Sequence, residues 1–587
     1  MGIFANHCRS IVGEYVQTVL IIDDGAGLNY DTEAERIDID DESYNPLIES
    51  TESTESTEST ESTESTESTE STESTESTES TKNTHSLNTL ALTNAFYELD
   101  IIAGLYQPKI KQGDSAESFA AKAKKISAAA DIIILDWMLT DHDPNYSIEI
   151  VKKILEQDLE SGGRLRTIVI YTGESDLAKL RDTLWTNLNN HRLSKDVDYQ
   201  INAEHLNIVF YNKADAINGL RPVSENDLPK TVLGEFAKLV DGLVPAFAMK
   251  ATSTLRQNTG ALLAKFSSNL DAGYLAHRVL LPNPEDAELL MLENYASYLR
   301  NVLAITQVDK NTLGYEKIKN WIEDNYINCH KKATVIVSDG TDGTDVTDVT
   351  DGTKEIIFTK ENFLASCEYG FTEGKKGLFK EIQKQTSKKQ AKFITKQGEN
   401  LERIVGIFGS SEESVKESSQ KLSALTAFRR TYQDLREGIP YLTQGTLLKD
   451  SSENGYLVCV MPKCDTARVK GERNFLFAKL DKNDDVYDLI APDITQEGSY
   501  VNLKTNLKFY DLQTIEFAAG DFSKITAVKN GNEIYFQSKN EKKYRWIGDL
   551  EDLDIQNKVS SIVGDFNRIG VDEIEWVRRR KASSMHR

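Results

Sequence analysis

The chain has 587 residues, 39% of them apolar, and a formal charge of −25; this length is enough for about two to four domains, each with its own core. The acidity is concentrated. Eleven copies of Glu-Ser-Thr run from Glu49 to Thr81, and "DGTDGTDVTDVTDGT" (Asp339–Thr353) adds five more carboxylates, which leaves about −9 on the rest. Non-specific nucleic-acid binding is disfavoured, because phosphate affinity comes mainly from Lys and Arg.

In chain order, "TVLIIDD" (Thr18–Asp24) reads as a short buried strand that ends in two acids. A low-complexity insertion follows, at about residues 25–85. Glu-Ser-Thr repeats offer no apolar side chain to bury, so this insertion is expected to be solvated and disordered. A regular alternation then begins. "LNTLALTNAFYEL" has helical apolar spacing, "DIIAGLY" reads as a strand, "AESFAAKAKKISAAA" as a helix and "DIIILDWML" as a strand. "SIEIVKKILEQDL" (helix), "RTIVIYTGE" (strand), "DLAKLRDTLWTNL" (helix) and "LNIVFYNKAD" (strand) continue it. "LPKTVLGEFAKLVDGLVPAFA" closes the series as one helix. Five apolar strands alternating with helices predict an α/β fold with a doubly wound, five-stranded parallel sheet covered on both faces.

Beyond about residue 250 the alternation stops. Residues 251–440 are expected to be mainly helical, with an acidic loop at 339–353. Residues 441–587 read as a β-rich α+β domain with a basic tail, "WVRRRK". Lys375–Lys396 carries eight lysines on one expected amphipathic helix with Phe379, Ile382 and Phe393. The five cysteines are odd in number and scattered, which suits a reducing cytosol. No apolar run is long enough to span a membrane, and "MGIFANHCRS" lacks a signal-peptide pattern. Asn6 also stands where N-myristoylation wants Ser or Thr. A soluble, cytoplasmic protein is expected, without membrane contact.

In an open parallel sheet, ligands bind outside the carboxyl ends of the strands. Here the strands end in Asp23 and Asp24, in Asp136, in Thr172 and in Lys213. Three carboxylates gathered at one edge repel one another unless a cation sits among them, and hard oxygen ligands select Mg²⁺. A hydroxyl and an ammonium beside them would face an oxyanion held by the metal. The set makes sense as a phosphoryl site.

This order of Asp-Asp, Asp, Thr and Lys at the ends of strands one, three, four and five resembles the receiver domain of bacterial response regulators, over roughly residues 15–248. The resemblance implies a flavodoxin-like fold in residues 1–250. It makes Asp136 the phosphoacceptor for a partner's phosphohistidine, with Mg²⁺ held by Asp23, Asp24, Asp136 and the backbone carbonyl of Met138. Thr172 would bind the acyl phosphate, Lys213 would pair with a phosphoryl oxygen, and Phe210 occupies the aromatic switch position. Departures from the family pattern are Ala214 in place of the proline that follows the lysine, Gly173 after the threonine, and the long insertion beside the acidic pair. "TQGTLL", "YLVCVMPKCDTARV" and "RIGVDEIEWVRR" are similar to the ends of other large bacterial proteins that begin with a divergent receiver. Such proteins are often encoded beside histidine-kinase-like ATPases, sometimes among phage-defence genes.

Other signals carry less. "GFTEGKKG" (Gly370–Gly377) has the wrong glycine spacing for a phosphate loop and Lys376 where Ser or Thr is needed. Cys459 and Cys464 lack a second ligand pair for zinc. The Asp-Gly-Thr tract lacks the EF-hand spacing. Residues 445–587 show no nucleophile–base pair, so no enzymatic activity beyond phosphoacceptance and self-dephosphorylation is read. No helix-turn-helix stands out, which argues against ordinary transcription control. Three functions stay open: a phosphorelay receiver that signals through its C-terminal regions to protein partners, an interaction scaffold whose receiver has lost the relay, and an enzyme within residues 445–587 whose reacting groups the sequence does not reveal.

One prediction follows from the insertion. The closure cost of a flexible loop grows only with the logarithm of its length, so deleting Glu49–Thr81 should shift stability by about 1 kcal/mol or less. Loss of cooperative thermal unfolding in the deletion variant would show that the tract folds against the domain.

Overall fold

The computed structural model of the chain describes residues 2–25, 87–107, 115–139, 143–338 and 351–566, with short breaks at 162, 191–192, 197, 204, 283, 371–376, 434–437, 453–454, 468, 497, 521–522 and 532. The Glu-Ser-Thr tract, the Asp-Gly-Thr tract up to residue 350, most of "GFTEGKKG" and the basic tail lie outside the described residues. The chain divides into two units. One comprises residues 16–155 and 165–239; the other holds residues 1–15, 156–164 and 240–587. The sheet unit thus excludes the N-terminal helix α1 (Ile3–Tyr15), a division different from the three regions expected of the sequence.

The sheet unit contains β1 (Thr18–Ile22), α2 (Thr89–Tyr97), β2 (Ile102–Tyr106), α3 (Ala116–Ser127) and β3 (Ile132–Leu135). It continues with α4 (Asn145–Glu160), whose last turn belongs to the other unit, then β4 (Arg166–Thr172) and α5 (Leu177–Leu188). β5 (Ser194–Asp196), β6 (Gln200–Ala203), β7 (Leu206–Lys213), β8 (Pro222–Val223) and α6 (Leu228–Lys238) complete it. Its sheet has eight strands rather than five, in the order β2-β1-β3-β4-β7-β6-β5, with β8 beside β7. The five expected strands are all there and parallel. The short polar hairpin β5–β6 adds antiparallel pairing to the far edge of β7. "SKD" and "QINA" have too few apolar residues to announce a strand, so the sequence pattern missed them.

β1, β3, β4 and β7 are near-continuous apolar runs because helices cover both faces of the sheet. Ile133, Leu135, Ile168, Ile170, Ile208 and Phe210 form one side of the core with residues of α3, α4 and α5. Helix starts follow the usual chemistry: Asn88, Ser115 and Asp176 accept hydrogen bonds from backbone amides three residues on. Arg166 is fully buried at the start of β4, where its guanidinium donates to the carbonyls of Ser127 and Ala130 and ties the end of α3 to the sheet.

The single helix expected over "LPKTVLGEFAKLVDGLVPAFA" is two, α6 and α7 (Leu243–Gln257), because Asp241-Gly242 breaks it. The other unit continues with α8 (Thr259–Leu263), α9 (Asp271–Leu280), α10 (Asp286–Ile305), α11 (Val308–Leu313) and α12 (Tyr315–Asn325). A hairpin then interrupts the helices, β9 (Lys332–Ser338) with β10 (Asp351–Ile357), so Asp351, Gly352 and Thr353 of the acidic tract are strand residues rather than loop. The lysine-rich segment is two short helices, α14 (Leu378–Gln385) and α15 (Lys388–Ile394), because Ser387 starts a new capping box; they follow α13 (Lys360–Tyr369). Phe379 and Ile382 are buried and Phe393 is partly so. α16 (Gly398–Val405) and α17 (Glu412–Ala427) lead into ten further strands between Phe428 and Leu550. They form one sheet whose pairings are all antiparallel, with an apolar cluster on each face.

Candidate functional site

Register decides which side chains meet. Ile22 lies opposite Leu135, Leu135 opposite Ile170, and Ile170 opposite Phe210. One step beyond this row the strands present Asp23, Asp136 and Tyr171; further on stand Thr172 and Lys213. The Asp136 amide donates to the Ile22 carbonyl at 2.9 Å, which keeps the first two strand ends level.

Asp23, Asp24 and Asp136 each place a carboxylate oxygen within 4.8 Å of the others. Among the described residues no other group of three or more His, Cys, Asp or Glu is gathered closely enough to hold a metal ion. Asp23 and Asp136 are buried and Asp24 is exposed. The Lys213 ammonium reaches across from β7, 2.9 Å from Asp23 Oδ2 and 2.7 Å from Asp136 Oδ2, and is itself buried. Ionised, this cluster carries three negative charges against one positive. The sequence placed all four residues here, and the structure brings them together.

Burial raises the Asp136 carboxyl to about 7, opposed by Lys213 and reinforced by Asp23. Asp24 is raised as well, by partial burial and then by Asp23. For Lys213 burial acts downward, but the attraction of Asp136 and Asp23 outweighs it and its pKa is raised. The ammonium is therefore firmly protonated, and the upward shifts at Asp136 and Asp24 mark what it costs to ionise them together beside it.

Backbone and side-chain hydrogen bonds fix the carboxylates. The Gly25 amide donates to Asp23 Oδ1 at 2.8 Å and the Met138 amide to Asp136 Oδ1 at 3.3 Å. Ser147, fully buried on α4, donates its hydroxyl to the Asp136 carbonyl at 2.7 Å. Thr172 is buried at the end of β4, where its Oγ1 accepts from the Glu174 amide at 3.2 Å. Asn212 donates to the Glu174 carbonyl at 2.7 Å and accepts from the Arg221 amide, so it pins the loops after β4 and β7. Ser147 and Asn212 had no sequence signal, because a hydroxyl or amide in an apolar segment names no partner. Phe210 is fully buried with its ring centroid 6.4 Å from that of Trp137. The Lys213–Ala214 peptide is trans, as suits a position without proline.

Asp136 supplies a pH test. With its native pKa raised above the unfolded value, the stability it contributes is fully present below the ordinary carboxylate range and is lost as pH rises through about 7. In divalent-free buffer the unfolding free energy should fall between pH 5 and pH 8, and Asp136→Asn should flatten that part of the profile. Parallel parent and variant profiles would show that Asp136 does not titrate there.

Neither the curated proteins nor the solved structures gave a match. Residues 15–218 match the family described as a response receiver domain, and the chain thus carries a divergent receiver domain at the N-terminal end of its 587 residues.

Proposed function

We propose that the receiver domain accepts a phosphoryl group on Asp136 from the phosphohistidine of a histidine-kinase-like ATPase, and that the rest of the chain relays the change to protein partners. The observation that carries this reading is the strand-end cluster: three carboxylates within 4.8 Å, two of them bound by a buried lysine at 2.9 and 2.7 Å. A receiver domain already implies a response-regulator-like role in two-component signalling and contact with a phosphodonor protein. In the transfer an Asp136 carboxylate oxygen attacks phosphorus in line. The phosphorus–nitrogen bond breaks, its electron pair returns to the imidazole, and an aspartyl phosphate results. Lys213 then exchanges a carboxylate partner for a phosphoryl oxygen, and the Thr172 hydroxyl donates to another. Little covalent work falls to the protein, which positions the groups and balances charge.

The donor set fits a hard divalent cation, because the cluster's surplus charge is carried entirely by carboxylate oxygen. Asp23, Asp24, Asp136 and the Met138 carbonyl would hold Mg²⁺, which would neutralise that charge and orient a phosphoryl oxygen. The setting we propose is the cytoplasm, and phage defence by the resemblance of the C-terminal segments. Among the described residues no helix is long and apolar enough to cross a membrane.

A second reading is favoured by one observation. Asp136 is only 7% exposed and Lys213 bridges it to Asp23, so the site is closed by its own ion pairs. A receiver locked in this way would act as an interaction scaffold without phosphorelay.

Asp136→Asn separates the two readings, since it removes the nucleophile with almost no change in volume. Incubated with a small acyl phosphate and Mg²⁺, the parent should gain one acid-labile phosphoryl group by intact mass and the variant none. A parent that stays unmodified supports the scaffold; a variant labelled with the same lability removes Asp136 as acceptor.

Metal binding gives the other test. A ligand that binds only the folded site stabilises it by about 2.7 kcal/mol at a hundredfold excess over its Kd. Millimolar Mg²⁺ should therefore raise the melting temperature of the receiver transition. Asp24→Ala should erase most of that shift and, by relieving repulsion, make the metal-free protein slightly more stable. A parent melting curve indifferent to Mg²⁺ would count against the metal site.

A further inference from the structure

The α9–α10 hairpin leaves apolar side chains in water to an extent that its own packing does not explain. α9 has no buried residue at all, and α10 has one, Ala287. Val279 is 81% exposed, Leu280 83%, Leu292 65% and Ile305 79%, with Leu275 and Leu289 also more than half exposed. Removing such side chains from water is favourable in proportion to the apolar area covered. Large exposed apolar patches are rare on monomers and mark interaction surfaces.

α10 carries two apolar stripes rather than one. The first includes Tyr295 and Tyr298, whose rings pack against Phe266 at 5.4 and 5.8 Å, and this stripe seats the helix on its own unit. The second runs through Leu289, Leu292, Ala296, Leu299 and Leu303, at alternating spacings of three and four residues. That is the heptad seam of a helix paired with another helix. Leu289, Leu292 and Ala296 are exposed, while Leu299 and Leu303 are half-buried. Nothing within the described chain covers the exposed part.

The charges beside the seam choose the occupant. Glu293 and Arg300 lie on the same flank, three residues before and four after Ala296. Both are exposed, and among the described residues neither takes part in an ion pair. Two copies of α10 crossed antiparallel at Ala296 set Glu293 of each against Arg300 of the other, two complementary pairs by symmetry. A parallel pair would instead oppose Glu293 to Glu288, which repel. The alanine at the crossing leaves room for close approach. The hairpin runs from residue 271 to residue 305, long enough to supply most of the roughly 20–30 residues a side that a stable interface uses.

We propose that the α9–α10 hairpin is a homodimerisation surface, seated on a second copy of this chain as an antiparallel four-helix bundle centred on Ala296. Ridge-and-groove packing of two such hairpins buries the exposed leucines of both copies. The surface is independent of the phosphoryl site and stands whether or not Asp136 is modified.

Sedimentation equilibrium of the full chain at micromolar concentration tests it. The parent should sediment at twice 65.8 kDa. Leu289→Glu with Leu292→Glu should sediment at 65.8 kDa while unfolding as cooperatively as the parent. Glu293→Arg and Arg300→Glu touch no apolar contact; each alone should weaken the dimer by about tenfold in Kd. Combined, the two reversals should restore the parent's affinity. A monomeric parent overturns the proposal, as does a double-glutamate variant that remains dimeric. A combined reversal as weak as the single ones overturns the antiparallel pairing.

Discussion

One ammonium holds the receiver site together. Lys213 Nζ sits between Asp23 and Asp136, so a single charge on β7 joins the ends of β1 and β3 across the width of the sheet. Two buried carboxylates this close would otherwise repel, and removing one partner from a buried ion pair is costly because the other charge stays uncompensated. The lysine does not settle the balance, however. Three acids share it, and burial pushes Asp136 up while Asp23 adds to the push. Three carboxylates therefore share a single ammonium, and it is on this imbalance that the proposed phosphoryl site rests.

The strand ends were legible because parallel sheets impose their own grammar. A strand buried on both faces must be apolar along its length, so the first polar residue marks where it leaves the sheet. Asp23 and Asp136 announce themselves in that way, and Thr172 and Lys213 as the last residues of β4 and β7. What the pattern hid were groups whose role is set by tertiary contact. Ser147 looks like an ordinary helical serine until it meets the Asp136 carbonyl. Arg166 reads as the polar start of a strand, yet it is a buried brace on α3. Glu235 sits on α6 among apolar residues, where periodicity gives no hint that Tyr211 donates to it at 2.6 Å, with the Asn207 amide also in reach.

Outside the receiver the same logic reads less. The antiparallel C-terminal sheet has apolar clusters on both faces, so a strand such as "YLVC" is apolar throughout; segments such as "YLVCVMP", "FLFAKL" and "EIYFQS" read as β, but their pairing did not. Local breaks were missed for a different reason. Asp241-Gly242 ends α6, and Ser387 opens α15 with a capping box. In each case one or two residues outweigh an apolar period that would otherwise run on through them. The hairpin β5–β6 escaped because its pairing with β7 is backbone chemistry with little side-chain signature.

β7 shows how a change at the site could travel. Its last four residues point to four destinations. Phe210 packs toward Trp137, next to Asp136 in sequence; Tyr211 hydrogen-bonds Glu235 on α6; Asn212 fastens the Glu174 and Arg221 backbones; Lys213 enters the acidic cluster. Arg221 in turn lies over the Tyr211 ring and donates to its hydroxyl at 2.7 Å. A strand is stiff along its axis, so Lys213 cannot follow a new anion without displacing its neighbours or giving up one of its two carboxylates. The first course loads the Tyr211–Glu235–Arg221 contacts, and the second frees Asp23. Because these groups are buried and mutually hydrogen-bonded, such a shift favours discrete arrangements over gradual ones. The same bonds that make the resting site rigid therefore make β7 the strand through which a phosphoryl group on Asp136 would be felt at α6.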